Sequence, residues 1–117
     1  MGAFLDYVGS DGLTPLMHCC SHAGLDDVAA QLIEAGAKPD LLTPFGWSAL
    51  TVACFSGRAA SAQHLVDKGA ALNLLGSDGK TALDWASEKC PGAAAAIMAK
   101  GGLTGSEVRE REAAAFD

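Results

Sequence analysis

Two histidines and two cysteines lie close together near the start of the chain, at His18, Cys19, Cys20 and His22. Thiolate sulfur and imidazole nitrogen are ligands that zinc prefers, and a thiol can also respond to oxidation. The spacing includes no Cys-x-x-Cys pair, and no acidic metal-binding motif accompanies the two histidines. The cysteines can be explained without a metal as small buried residues of the first helix. A metal- or redox-responsive site is therefore kept only as an alternative.

Other patterns that carry chemistry are missing from the sequence. It contains no glycine-rich phosphate loop, nucleophile elbow or paired-carboxylate motif, and His64 lies alone in a helix-like run. The eight Lys and Arg residues are scattered through a chain of net charge −6, which argues against a nucleic-acid surface. No apolar run approaches the roughly 20 residues that span a bilayer. We therefore predict no enzyme, no cofactor, no nucleic-acid partner and no membrane insertion.

The four cysteines also bear on the compartment. Cys19, Cys20, Cys54 and Cys90 all fall inside helix-like runs and lack the spacing of a disulfide framework. Cysteine usage of this kind favours a reducing, intracellular setting, with the cytoplasm as the first expectation.

The elements that would position these residues repeat along the chain. Two series of glycines share one period of 33 or 34 residues, at positions 2, 36, 69 and 102 and at positions 12, 46 and 79. Two series with one period are typical of stacked structural repeats. We place the repeats at about 2–35, 36–68 and 69–102.

Each repeat carries the signals of two short helices. Thr14, Ser48 and Thr81 each precede a helical pattern, as N-cap residues do, and Pro15 stands at a first helical position. A second helix follows, with apolar residues at the i, i+3, i+4 spacing of one helix face. These residues are Val28, Ala29, Leu32 and Ile33 in the first copy and Ala62, Leu65 and Val66 in the second.

The repeated motif resembles the ankyrin repeat over about residues 2–102. The resemblance rests on Gly-x-Thr-Pro-Leu at 12–16, Leu-Ile-Glu-Ala-Gly-Ala at 32–37, Gly-Trp-Ser-Ala-Leu at 46–50 and Gly-Lys-Thr-Ala-Leu-Asp-Trp-Ala at 79–86. It implies an all-α fold, an ankyrin-like helix-turn-helix solenoid with β-hairpin-like loops. We expect a repeat domain at 1–103 and a charged helical tail at 104–117, which caps the third repeat, reaches for a partner or frays.

Some positions depart from the family's pattern. The usual histidine after Thr-Pro-Leu is replaced by Met17, Thr51 and Asp84, so its hydrogen bonds must be supplied otherwise or be absent. In the third copy Cys90-Pro91 stands where the turn glycine between the two helices is expected.

The resemblance also implies a role in binding another protein. In ankyrin-like repeats the hairpin tips and the exposed face of the first helix contact partners. Carried over to this sequence, those positions are Val8, Ser10, Asp11 and Leu13 in the first copy, Leu42, Pro44, Phe45, Trp47, Phe55 and Ser56 in the second, and Leu75, Ser77, Asp78, Lys80, Glu88 and Lys89 in the third.

The second copy concentrates large apolar side chains where polar ones would suffice. Leu42, Phe45, Trp47 and Phe55 could together form the apolar centre of an interface. Alternatively, Phe45 and Trp47 pack on neighbouring hairpins and Phe55 lies between repeats. Trp85 shares a repeat position with Val52 and His18, so we expect it in the core.

The sequence thus predicts a protein–protein interaction module, an adaptor or scaffold. A structural subunit that fills a gap in a larger complex is the second possibility. Because the repeat pattern begins midway, at Gly2-Ala3, we expect the N-terminal face to be covered by a partner or by a missing repeat.

Overall fold

The computed structural model describes residues 12–22, 24–44 and 46–115. This part of the chain contains seven α-helices and no β-strand, which confirms the predicted all-α class. The helices are α1 (Pro15–Ser21), α2 (Asp26–Glu34), α3 (Ala49–Phe55), α4 (Ala59–Asp67), α5 (Ala82–Lys89), α6 (Pro91–Ala99) and α7 (Gly105–Ala115). The first six form three helix pairs, one for each predicted repeat.

The pairs stack into two layers. Helix α3 packs between α1 and α5 in a first-helix layer, and α4 packs between α2 and α6 in a second-helix layer. The result is elongated, measuring 46 × 27 × 21 Å along its principal axes. This is the predicted solenoid, in which each repeat contacts its neighbours.

The predicted N-caps start the first helix of each pair. The hydroxyl of Thr14 accepts from the backbone N–H of Met17 at 3.2 Å, and the hydroxyl of Ser48 accepts from that of Thr51 at 3.4 Å. In the third copy the carboxylate of Asp84 accepts from the N–H of Thr81 at 2.9 Å. Met17, Thr51 and Asp84, which replace the family's usual histidine, are therefore each the third residue of their helix. At that position the cap uses the backbone N–H of the residue or, in Asp84, its carboxylate.

The core consists of small and aliphatic side chains, as the low aromatic content leads one to expect. Ala62, Leu65 and Val66 are buried in α4, which confirms the predicted face. In α2 the prediction is partly wrong, because Val28 is 42% exposed and Leu32 is half-buried.

A neighbouring helix explains this difference between α2 and α4. Ser61 occupies in α4 the position that Val28 has in α2, and its hydroxyl donates to Asp26 of the preceding repeat at 2.7 Å. Ser61 is thereby buried between two repeats. Among the described residues, no helix covers α2 on the corresponding side.

Glycines in the left-handed region end the second helices. Gly36 and Gly69 do so with φ of 103° and 85°, and in the third repeat the residue is Gly101, with φ of 91°, rather than Gly102 of the periodic series. The N–H of Gly102 donates to the carbonyl of Ile97, which is the bond that Ala70 makes to Leu65 one repeat earlier. The glycine that ends the second helix therefore comes one residue earlier in the third repeat, because Cys90-Pro91 makes a shorter turn between α5 and α6.

The loops between repeats close like β-hairpins. In the second repeat the N–H of Thr43 donates to the carbonyl of Trp47 at 2.8 Å, and in the third that of Gly76 donates to Lys80 at 3.0 Å. Gly79 turns the tip of the third loop with φ of 75°. The two loops are therefore built alike and hold Trp47 and Lys80 at equivalent positions.

Side chains at one repeated position form hydrogen bonds from each loop to the backbone of the next. The carboxylate of Asp40 accepts from the N–H of Ala71 at 2.9 Å, and the side-chain oxygen of Asn73 accepts from that of Leu103 at 2.7 Å. Because each bond joins residues about one repeat apart, the loops are fixed relative to one another.

The start of α7 is attached to the third repeat. The hydroxyl of Thr81 donates to the carbonyl of Leu103 at 2.6 Å, and the N–H of Gly105 donates to Asp84 at 2.7 Å. Arg109 donates to the carbonyl of Gly79 at 2.5 Å, at the tip of the third loop. The first turns of the tail helix are thus held against this repeat.

Candidate functional site

Three aromatic rings meet on the surface where the second and third repeats join. Ring centroids lie 5.1 Å apart for Trp47 and Phe55, 5.4 Å for Trp47 and Trp85, and 4.9 Å for Phe55 and Trp85. The last pair meets edge to face, with an interplanar angle of 83°. Tilted and edge-to-face pairs are the geometries that aromatic rings favour. We call Trp47, Phe55 and Trp85 the aromatic triad.

Each ring of the triad comes from a different element. Trp47 ends the second loop, Phe55 is the last residue of α3, and Trp85 lies in the first half of α5. The packing of α3 against α5 brings Phe55 and Trp85 together. Gly76 makes room for Trp47, because a Cβ at that position would lie 2.9 Å from the indole Cδ1.

The triad is partly open to solvent. Phe55 is 40% exposed, and Trp47 and Trp85 are half-buried. Leu42, at the base of the second loop, is 50% exposed. Apolar side chains grouped in this way on a surface are typical of an interaction site.

Two lysines lie over the triad. The Nζ atom of Lys80 is 4.3 Å from the ring centroid of Trp85, and that of Lys89 is 5.1 Å from the centroid of Phe55. Both distances fall within the range of cation–π attraction. Neither ammonium has a carboxylate within 4.0 Å in the described part of the chain, whereas Lys68 pairs with Glu34 at 2.7 Å. Together with the triad, Lys80 and Lys89 form what we call the triad surface.

One polar group within the triad has no hydrogen-bond partner. The indole Nε1 of Trp85 is buried and finds no acceptor among the described residues. An unpaired buried donor costs about 1–3 kcal/mol. This donor belongs to the ring over which Lys80 lies.

The structure brings some of the predicted contact residues together and separates others. Trp47, Phe55 and Lys80 meet at the triad surface. Pro44 lies away from it, because its ring packs against Gly12 of the first repeat. Leu13 packs against the core.

The other predicted residues have local roles or fall elsewhere. The carbonyl of Ser56 accepts from Arg58, and the carboxylate of Asp78 accepts from the N–H of Lys80. Leu75 is half-buried. Four more predicted residues lie outside the described part of the chain: Val8, Ser10, Asp11 and Phe45.

The expectation that Trp85 belongs to the core is partly right, because its side chain packs against the core but is only half-buried. Its repeat position is not uniformly buried, since Val52 is buried there and His18 is exposed. At this position Trp85 is half-buried and its ring meets that of Phe55 edge to face. The large size of its side chain was the available signal in the sequence.

The cysteines and histidines do not form a reactive or metal-binding group. Cys19 and Cys20 are buried, and burial raises the pKa of the Cys20 thiol to about 12, which disfavours the reactive thiolate. His18 and His22 lie on the exposed side, where their rings stack at 6.3 Å. No three His, Cys, Asp or Glu residues are grouped to hold a metal ion in the part of the chain described.

Stacked helix pairs joined by hairpin-like loops, with an aromatic surface and no catalytic arrangement among the described residues, define a helical repeat protein. A family model described as ankyrin repeats, in three copies, matches residues 16–105. The chain therefore belongs to the ankyrin-repeat family, which confirms the resemblance seen in the sequence. Ankyrin repeats are generally protein-binding modules, and the match brings no catalytic domain.

A relative is known from Treponema pallidum (strain Nichols), where an ankyrin repeat-containing protein is 41% identical over 71 residues. The aligned region covers 60% of this chain and 24% of that protein. The chain thus spans about a quarter of the relative it matches. None of the described helices has the length and apolar character needed to cross a membrane.

Proposed function

We propose that this protein is an adaptor or scaffold that binds another protein through the triad surface. The observation that carries the proposal is the exposed contact of Phe55 with Trp47 and Trp85 across two repeats. Aromatic residues at the centre of an interface, surrounded by polar ones, supply most of its binding energy. Lys80 and Lys89 provide such polar surroundings.

Rigid presentation is the mechanism that the contacts support. Trp47 and Lys80 stand on two closed loops, and Asp40 fixes one loop to the next. Helices α3 and α5 hold the other rings. A surface that is ordered before binding loses little conformational entropy when a partner arrives, which leaves more of the contact energy as affinity.

A pull-down from native extract with matched variants tests the proposal. Phe55→Ser removes an exposed ring of the triad, and Met98→Ser removes a side chain that is 63% exposed on α6, in the other layer. We expect proteins captured by the wild type to be lost with Phe55→Ser and kept with Met98→Ser. Identical captures by all three chains would refute binding through the triad surface.

A structural subunit of a larger complex is a second candidate function. Val28 and Met98, on the second-helix layer, are exposed as well as Phe55 on the other side. A subunit surrounded by partners, also at its N-terminal face, would have such apolar side chains covered on both layers. Light scattering after size-exclusion chromatography separates the two candidates, because an adaptor is expected to be monomeric alone and a gap-filling subunit to aggregate.

The cysteines support a reducing compartment for either function. All four are free and buried, at Cys19, Cys20, Cys54 and Cys90. A chain that keeps its thiols unpaired is suited to the reducing interior of a cell.

A further inference from the structure

The two lysines over the triad indicate what kind of partner fits it. An ammonium group has three donors, and contact with a ring face leaves the outward side free for an anion. Lys80 and Lys89 are both placed this way, and in the described residues no carboxylate lies within 4.0 Å of either Nζ atom. The triad surface therefore presents two positive charges beside exposed apolar rings.

The chain as a whole is acidic. The chain carries 14 acidic residues and 8 basic ones, for a net charge of −6. On such a protein, two unpaired ammonium groups at one apolar patch attract an acidic group, while the rest of the surface repels one.

Resting on the proposed function, we infer that the triad surface binds an acidic peptide segment of the partner protein, with Asp or Glu next to a large apolar residue. The apolar side chain packs on the exposed ring of Phe55, and the carboxylates pair with Lys80 and Lys89. The ammonium groups lie over rings whose centroids are 4.9 Å apart, so one short segment can meet both.

A polyanion such as a nucleic acid fits the surface less well than a short acidic peptide. Asp78 and Glu88 stand next to the two lysines in the chain, and both are exposed. Their negative charges add to the overall acidity and repel an extended run of phosphates. A peptide with one or two carboxylates beside an apolar side chain avoids most of this repulsion.

The experiment selects peptides and then tests their charge. A library of displayed random peptides is panned on the full chain, and an enriched peptide is titrated by fluorescence anisotropy. We expect Asp or Glu next to an apolar residue in the enriched sequences. Replacing those acids by Gln or Asn, or changing the protein by Lys80→Glu, should weaken binding about tenfold, and raised salt should weaken it too.

A matched control separates the site from the overall charge. Lys100→Glu makes the same charge change at an exposed position after α6. It should alter the affinity less than about twofold, since distant exposed charges are screened. An equal loss with Lys100→Glu and Lys80→Glu would overturn the inference.

The remaining outcomes distinguish the inference from the proposed function. Enriched peptides without an acidic preference, whose binding is lost with Phe55→Ser, would overturn the inference and leave the proposed function standing. Peptides that bind the wild type and Phe55→Ser equally would contradict both. No enrichment, or tighter binding of a single-stranded oligonucleotide than of any peptide, would overturn the inference.

Discussion

The ring of Phe55 meets the ring of Trp85 edge to face, with centroids 4.9 Å apart and an angle of 83°. This contact joins the last turn of α3 to α5 and therefore crosses from the second repeat to the third. It lies at the solvent-exposed side of the first-helix layer, since Phe55 is 40% exposed. A surface shared by two repeats depends on their stacking, so the proposed binding through the triad surface requires the two repeats to be stacked.

Phe55 and Trp47 should differ in what their removal does. Phe55→Ala is expected to lower the free energy of unfolding by less than Trp47→Ala does, because its ring is 40% exposed, and to weaken partner binding by about 2 kcal/mol or more. Trp47→Ala should lower the free energy of unfolding by about 1–3 kcal/mol, because the indole is half-buried against Gly76 and Trp85. Urea denaturation and titration with a captured partner measure the two effects. Equal destabilisation by both changes would show that Phe55 also belongs to the core.

The two leucines of the second helices should also differ. Leu65 is fully buried, so Leu65→Ala is expected to lower the free energy of unfolding by about 2–5 kcal/mol through the cavity it leaves. Leu32, at the equivalent position of α2, is half-buried, and Leu32→Ala should cost less than half as much. Urea denaturation of both variants compares them directly. A larger loss for Leu32→Ala than for Leu65→Ala would contradict this difference in burial.

Asp84 should couple the tail helix to the third repeat. Its carboxylate accepts from the N–H groups of Thr81 and Gly105, at 2.9 and 2.7 Å. Asp84→Ala is expected to lower the free energy of unfolding by about 1–2 kcal/mol, as loss of a cap does, and to speed hydrogen exchange at the start of α7. Glu110→Ala, an exposed change on the same helix, is the control and should leave both unchanged. Slow exchange at Gly105 in the Asp84 variant would contradict this coupling.

A change at Gly105 tests the same contact by sterics. A Cβ added there would overlap the carbonyl oxygen of Gly79. Gly105→Ala should therefore displace the start of α7 and break the bond from Arg109 to that carbonyl. Nuclear magnetic resonance shifts of Gly79 and Arg109 would report the displacement, and unchanged shifts would argue against the close approach.

The buried thiols should make the protein less stable in alkali. Burial raises the pKa of Cys20 and Cys54 to about 12, whereas an unfolded chain ionises its thiols near pH 8.5. Stability from this source is fully present below about pH 8.5 and is lost as the pH rises toward 12, because only the unfolded state gains thiolates there.

Two measurements check this pH dependence. The urea midpoint should be lower at pH 10 than at pH 8, and the loss should shrink in a Cys20→Ala/Cys54→Ala variant. A thiol reagent should react slowly with the native protein at pH 8 and rapidly in urea. Fast reaction of the native thiols would contradict their burial and revive the redox alternative.

Local rules explain why much of the fold is predictable from the sequence. A cap such as Thr14 or Ser48 acts within one helical turn, so its effect can be inferred from nearby residues. The same holds for Gly36 and Gly69, which end helices by their own backbone conformation. Where a feature depends on distant neighbours, prediction fails. Val28 was expected to be buried, and its exposure depends on what lies against α2.

The candidate site shows the same limit. Repeat alignment predicts Trp47, Phe55 and Lys80 as contact residues and Trp85 as a core residue, but it does not reveal that Trp85 is only half-buried and also meets Phe55. The position of the Trp85 indole depends on its size and on its contact with Phe55 of the neighbouring helix α3. Likewise, the short turn at Cys90-Pro91 moved the last helix-ending glycine from Gly102 to Gly101, a shift that a fixed period cannot foresee.

Site-specific photo-crosslinking tests the central claim most directly. Benzoylphenylalanine placed at position 55 puts a photoreactive ring within the triad surface, and the same residue placed at position 98 probes the exposed side of α6. After illumination in native extract, we expect a discrete crosslinked protein from position 55 and none from position 98. No crosslinked protein from position 55, or the same protein from both positions, would contradict binding through the triad surface.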